Sequence, residues 1–189
     1  MSILHPKLKG IVAAFTVIVM YSLPLSAETP DSQDEAALLQ ELATAEPAAA
    51  KRLDRQIQAL WSASGSASLD LLLKRGRDAL EEQDVEAAIE HLTALTDHAP
   101  DFAEGWHARA SAYFAAELYG PAMADLERAL KLNPNNYNAI FGLGAILETF
   151  GDEKRAYEAY RRALALHPYH ENGTQAAERL RSRVEGKSL

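Results

Sequence analysis

The chain has no cysteine. That excludes disulfides, thiolate nucleophiles, cysteine-based zinc sites and lipid attachment through a thiol. Glycine and proline stay near ordinary levels, ten and eight in 189 residues, and aromatic residues make up only 7%. Alanine and leucine dominate instead, a helical composition, and a 48% hydrophobic content at this length supports one modest core. Positive charge is also short: 19 Lys and Arg face 27 Asp and Glu, a formal −8. That balance opposes phosphate backbones, so no nucleic acid partner is expected.

Motifs for chemistry are missing too. His91, His98, His107, His167 and His170 form no HExxH and meet no carboxylate at a repeated metal spacing. "HPYH" at 167–170 reads as solvated turn residues rather than a metal site. "GLG" at 142–144 has no further glycine in phosphate-loop register, and "SGS" at 64–66 lacks the glycines of a nucleophile elbow. Carboxylate pairs such as Glu81/Glu82 lie at turns. The expectation is a chain without catalytic residues, cofactor or metal.

Only one long apolar run is present. Lys7 and Lys9 precede Ile11–Tyr21, which is interrupted by Thr16 alone, and Pro24 and "LSA" at 25–27 follow. Basic, apolar and then small residues is the layout of a secretory signal. Residues 1–27 are predicted to be cleaved after Ala27, giving a periplasmic or secreted protein with 17 cations against 27 anions. The alternative is a retained N-terminal anchor, the only route to a membrane, although the stretch is short for a span of ~20 residues.

What the chain does have is a clock. Pro100, Pro134 and Pro168 recur every 34 residues. Twelve residues before them stand Ala88, Ala122 and Ala156; eight before, Leu92, Leu126 and Tyr160; five before, Leu95, Ala129 and Ala163. These i, i+4, i+7 offsets make one helical stripe. A second stripe, further upstream, contains Leu72, Trp106 and Ile140, then Gly76, Ala110 and Gly144, then Ala79, Tyr113 and Leu147. Each unit therefore holds two amphipathic helices, with small residues as notches for large ones. Asp84, Gly120-Pro121 and Gly151-Asp152 suit the turn inside each unit, Asp101 and Glu104 have capping-box spacing, and Ser68 suits an N-cap.

This pattern resembles the tetratricopeptide repeat, a 34-residue helix–turn–helix unit with the same small and large positions and a closing proline. The resemblance covers 69–102, 103–136 and 137–170. It departs at Ala79 and Leu95, where small and large are exchanged, and at Arg75 and Arg109, where leucine is common. It implies an all-α superhelix whose first helices line a concave face. Inward positions are then Asp70, Leu73, Arg77 and Leu80; Glu104, His107, Ser111 and Phe114; Asn138, Phe141, Ala145 and Glu148. Of these, Arg77, Glu104, His107, Ser111, Phe114, Asn138, Phe141 and Glu148 are the candidate partner-binding residues. Family members that grip chaperone C-termini use Lys, Asn and Arg; the matching positions here are Leu73, Arg77, Ala108, Asn138 and Gly142, so that activity is not carried over.

The flanks complete the architecture. Residues 28–33 read as a flexible tail, 34–61 as an N-terminal helical pair with a stripe of Ala50, Leu53, Ile57, Leu60 and Trp61, and 62–68 as a linker. Residues 171–185 read as a capping helix with Ala177, Leu180 and Val184 inward. The resulting expectation is a non-catalytic adaptor of the cell envelope that binds a peptide or partner helix. Its alternative is a structural protein that self-assembles into homo-oligomers by stacking repeats. The groove is either open, or covered by a flanking helix that buries Phe114 and Phe141.

Overall fold

The computed structural model describes residues 30–186; the predicted signal at 1–27 and residues 28–29 lie outside them. Among the described residues there are nine α-helices and no strand. They are α1 (Pro30–Thr44), α2 (Pro47–Ser62), α3 (Ala67–Glu81), α4 (Val85–His98), α5 (Ala103–Ala115), α6 (Tyr119–Leu132), α7 (Tyr137–Thr149), α8 (Glu153–Leu166) and α9 (Glu171–Glu185). α1 starts at Pro30, inside the stretch expected to be a tail, because proline is well tolerated in a first helical turn. No described helix is long and apolar enough to cross a membrane.

Three antiparallel pairs, α3–α4, α5–α6 and α7–α8, stack in order. The turn inside each pair is made by a left-handed residue: Gln83 (φ 65), Glu117 (φ 58) and Gly151 (φ 77), again 34 apart. After each, an amide closes back five residues: Asp84 to Ala79, Leu118 to Tyr113 and Asp152 to Leu147, at 2.8, 2.8 and 2.9 Å. This is a Schellman closure, so a glutamine and a glutamate carry the positive φ in two of the turns, and Gly120 does not. Asp84 and Asp152 do cap their helices. The Asp101–Glu104 capping box does not form. Phe102 stands at the N-cap of α5, and Asp101 pairs with Arg128 at 3.1 Å. At α3 the N-cap is Ser66, and Ser68 lies inside the helix.

The notches sit where the clock puts them. Ala88, Ala122 and Ala156 are fully buried. A Cβ on Gly76 would press into the Leu92 side chain, and one on Gly144 would fall 2.6 Å from Tyr160 Cε1. Leu95, the large residue where the family has a small one, has its branch 3.2 Å from where Gly105 would carry a Cβ. The extra volume is absorbed by the next repeat. Arg75 is exposed, whereas Arg109 is inside and forks onto Asp125 of α6.

The N-terminal pair is the element that shapes the concave side. Leu39, Leu42, Leu53, Ile57 and Trp61 form one core with Tyr137, Ile140 and Ala163. α1 packs on α8, while α2 reaches the first helices of the repeats. Ser62 Oγ meets Arg77 of α3 at 3.0 Å, α2 touches α5, and the Trp61 ring lies 5.0 Å from that of Tyr137 on α7. At the other end, Ala176, Ala177 and Leu180 of α9 cover Tyr157 and Tyr160 of α8.

Candidate partner-binding groove

Helices α5, α7 and α9 lie side by side, with α2 as a wall along their N-terminal ends. Three connected clefts result. One, of about 190 Å³, lies over α5 and α7 and is floored by Phe114, Phe141, Gly142 and Ala145. The second, of about 490 Å³, shares Phe114, Phe141 and Ala145 and continues to Asn172, Gln175 and Arg179 of α9. The third, of about 930 Å³, separates Lys51, Asp54 and Gln58 of α2 from Asn138, His170 and Asn172. Phe114 is 38% exposed. It meets Tyr119 edge-on at 5.4 Å, and Tyr119 meets the exposed Phe150 at 5.9 Å. The groove thus runs from the α2 wall across an apolar floor to an aromatic rim.

The sequence-selected residues divide into two sets. His107, Ser111, Phe114, Asn138 and Phe141 line the open clefts, and Glu148 lines the second. Glu104 is 3% exposed. It accepts from Arg77, from His107 Nδ1 at 3.0 Å and from Asn136 Nδ2 at 3.1 Å. Burial pushes its carboxyl up, but His107 and Arg77 together hold it below the usual range. Arg77 and Glu104 are therefore committed to each other beneath α2. Glu148, likewise lowered against the opposing effect of burial, is occupied by Arg179 at 2.8 Å and by the Tyr160 hydroxyl at 2.8 Å. Among the described residues no group of His, Asp and Glu is placed to hold a metal.

Two groups of residues escaped the sequence reading. Asn172 and Gln175 stand 34 residues after Asn138 and Phe141, so extending the clock into the last helix finds them. Asp54 has no such signal. It reaches Tyr137 only because α2 folds back, accepting from its hydroxyl at 2.7 Å. Burial and Asp54 drive that phenol well above its ordinary range.

The expectation of solvated histidines at 167 and 170 is corrected by the same packing. His167 is 6% exposed and stands edge-on to Tyr137 at 5.0 Å, with Nε2 3.7 Å from Asp54. His170 caps α9: its Nδ1 accepts from Gly173 N at 2.9 Å, so Nε2 carries the proton and donates to Asn138 Oδ1 at 3.1 Å. Desolvation lowers both imidazoles, and His167 adds to the effect on His170, while Asp54 opposes it in both. The unfolded chain therefore binds more protons than the folded one below the ordinary value of 6.5. Stability is fully present above that pH and falls as acidification proceeds towards the lowered folded values. Urea unfolding followed by circular dichroism is expected to show this loss before Glu104 titrates, since that carboxyl is held below 4.5. Replacing His170 by Asn, which caps α7 as Asn136 one repeat earlier, should flatten the profile; an unchanged slope in a variant lacking both histidines would refute the assignment.

Models of the tetratricopeptide repeat match residues 73–124, 103–146 and 137–170. A TPR repeat-containing protein of Rhizobium etli is 30% identical over 141 residues, which cover 75% of this chain and 69% of the relative. The Sgt2 TPR domain from Aspergillus fumigatus superposes with a TM-score of 0.60 at 24% identity, over 65% of this chain and 82% of that one. The first TPR of Spaghetti, solved with an HSP90 peptide, gives a TM-score of 0.59 at 24% identity, over 62% and 93%. At these identities the two structures bear on the fold.

Proposed function

The chain belongs to the tetratricopeptide repeat family, and from that premise we propose that it is a non-catalytic adaptor holding a segment of a partner protein in the groove over α5, α7 and α9. The observation that carries this reading is Phe114. A phenylalanine left 38% exposed at the junction of two clefts has apolar surface to bury on a partner. The reading also assigns the protein to the cell envelope, supported by the basic–apolar–small order of residues 1–27.

One experiment addresses both parts. Crosslinking in the producing cell, followed by mass identification, is expected to recover a partner on Phe114 and Phe141, attached to a chain beginning at Glu28. Replacing both phenylalanines by alanine should weaken capture by about 30-fold or more, the scale of a hot spot of about 2 kcal/mol, with helical content retained. Capture that survives the double replacement would refute the groove assignment. A mature chain still carrying residues 1–27 would refute cleavage.

A further inference from the structure

Resting on that reading of the groove, we propose that its occupant is an extended, uncharged peptide segment with apolar side chains, and not an acidic chain terminus. Charge opposes an acidic occupant. The residues lining the three clefts include two cations, Lys51 and Arg179, against three anions, Asp54, Glu148 and Glu171. Arg179 is spent on Glu148, and Arg77, the cation at an inward repeat position, is spent on the buried Glu104. A carboxylate would meet no uncommitted guanidinium on the floor, only the exposed Lys51 ammonium on the α2 wall, where Asp54 and Glu171 line the same cleft, and it would enter against a chain of net −8.

Asn138, Asn172 and Gln175 line the clefts as neutral amides. Because His170 occupies Asn138 Oδ1, the Asn138 amide nitrogen is left as a donor. Side-chain amides match the backbone N–H and C=O groups of an extended strand. A helical occupant has already satisfied those groups internally and would leave the amides without partners. At the rim, Phe114, Tyr119 and Phe150 continue the apolar floor beyond the groove, which suits alternating apolar side chains.

The test is selection of a phage-displayed library of random dodecapeptides on the full chain and on its Phe114→Ala variant. The expected result is enrichment of near-neutral peptides rich in aromatic and aliphatic residues. Their affinity should change less than about twofold between low salt and roughly 0.5 M salt, and should fall about 30-fold on Phe114→Ala. Enrichment of acidic or basic peptides, salt-sensitive but still lost on Phe114→Ala, overturns this inference and leaves the groove reading standing. No enrichment, or enrichment indifferent to Phe114→Ala, overturns both.

Discussion

Replacing Arg109 by alanine is expected to destabilise the protein by about 3–5 kcal/mol, the cost of stranding one partner of a buried ion pair. Arg109 stands where the family commonly has leucine, yet its side chain is 12% exposed and that of Asp125 is 7% exposed. The guanidinium forks onto both carboxylate oxygens at 2.7 and 2.8 Å and reaches Thr96 Oγ1 at 2.7 Å. It also lies over the Trp106 ring at 4.8 Å. Truncation leaves the Asp125 carboxylate desolvated with no cation, and Asp125→Ala leaves the guanidinium in the same condition. Equilibrium urea unfolding, read by circular dichroism, should show both losses. The double replacement Arg109→Leu/Asp125→Leu should recover most of the stability, because two apolar side chains of similar volume need no partner. Arg75→Ala, at the same repeat position but exposed, should stay within about 0.5 kcal/mol of the parent. Losses in the double variant that merely add would overturn the argument.

Gly144→Ala and Gly76→Ala are expected to lower stability, against the helix scale. Alanine inside a helix is favoured over glycine by about 1 kcal/mol. Here the added methyl has no room. At Gly76 it would fall 2.6 Å from Leu92 Cδ2 and closer still to Cγ, the branch point of that side chain. At Gly144 it would lie 2.6 and 2.8 Å from two Tyr160 ring atoms. That ring is anchored by its hydroxyl to Glu148 and packs 5.3 Å from Phe141. Overpacking of this kind costs about 1–3 kcal/mol, so it outweighs the propensity gain. Gly120, with nothing within 4 Å of an added Cβ, is the control and should lose nothing on replacement by alanine. At Gly144 the strain is also expected to displace Phe141, so the variant should weaken partner capture beyond its loss of stability. Thermal melts in which all three alanine variants rise together would show that the notches are slack.

Some of this was legible from spacing. The proline clock, the alanine stripes and the glycine notches depend on contacts whose sequence separation is constant, so a 34-residue period reports them directly. The same period held Asn172 and Gln175, had it been carried past the last proline. The capping box at Asp101 and Glu104 was a local motif outvoted by burial: the Glu104 carboxylate met Arg77, His107 and Asn136 first. His167 and His170 read as turn residues because the groups that enclose them, Tyr137 and Asp54, come from far away in the chain.

By itself, then, the amino-acid order determined that three helix pairs stack in register and which small residues let them approach. Helical periodicity and nearest-neighbour packing are local physics, repeated at a fixed interval. Only the tertiary structure decided which inward residues remain open. α2 follows no such interval, yet it docks on Tyr137 and reaches Arg77, the partner of the buried Glu104, while Phe114 stays uncovered. Docking between segments so distant depends on matching whole surfaces, a property that no spacing of residues along the chain encodes.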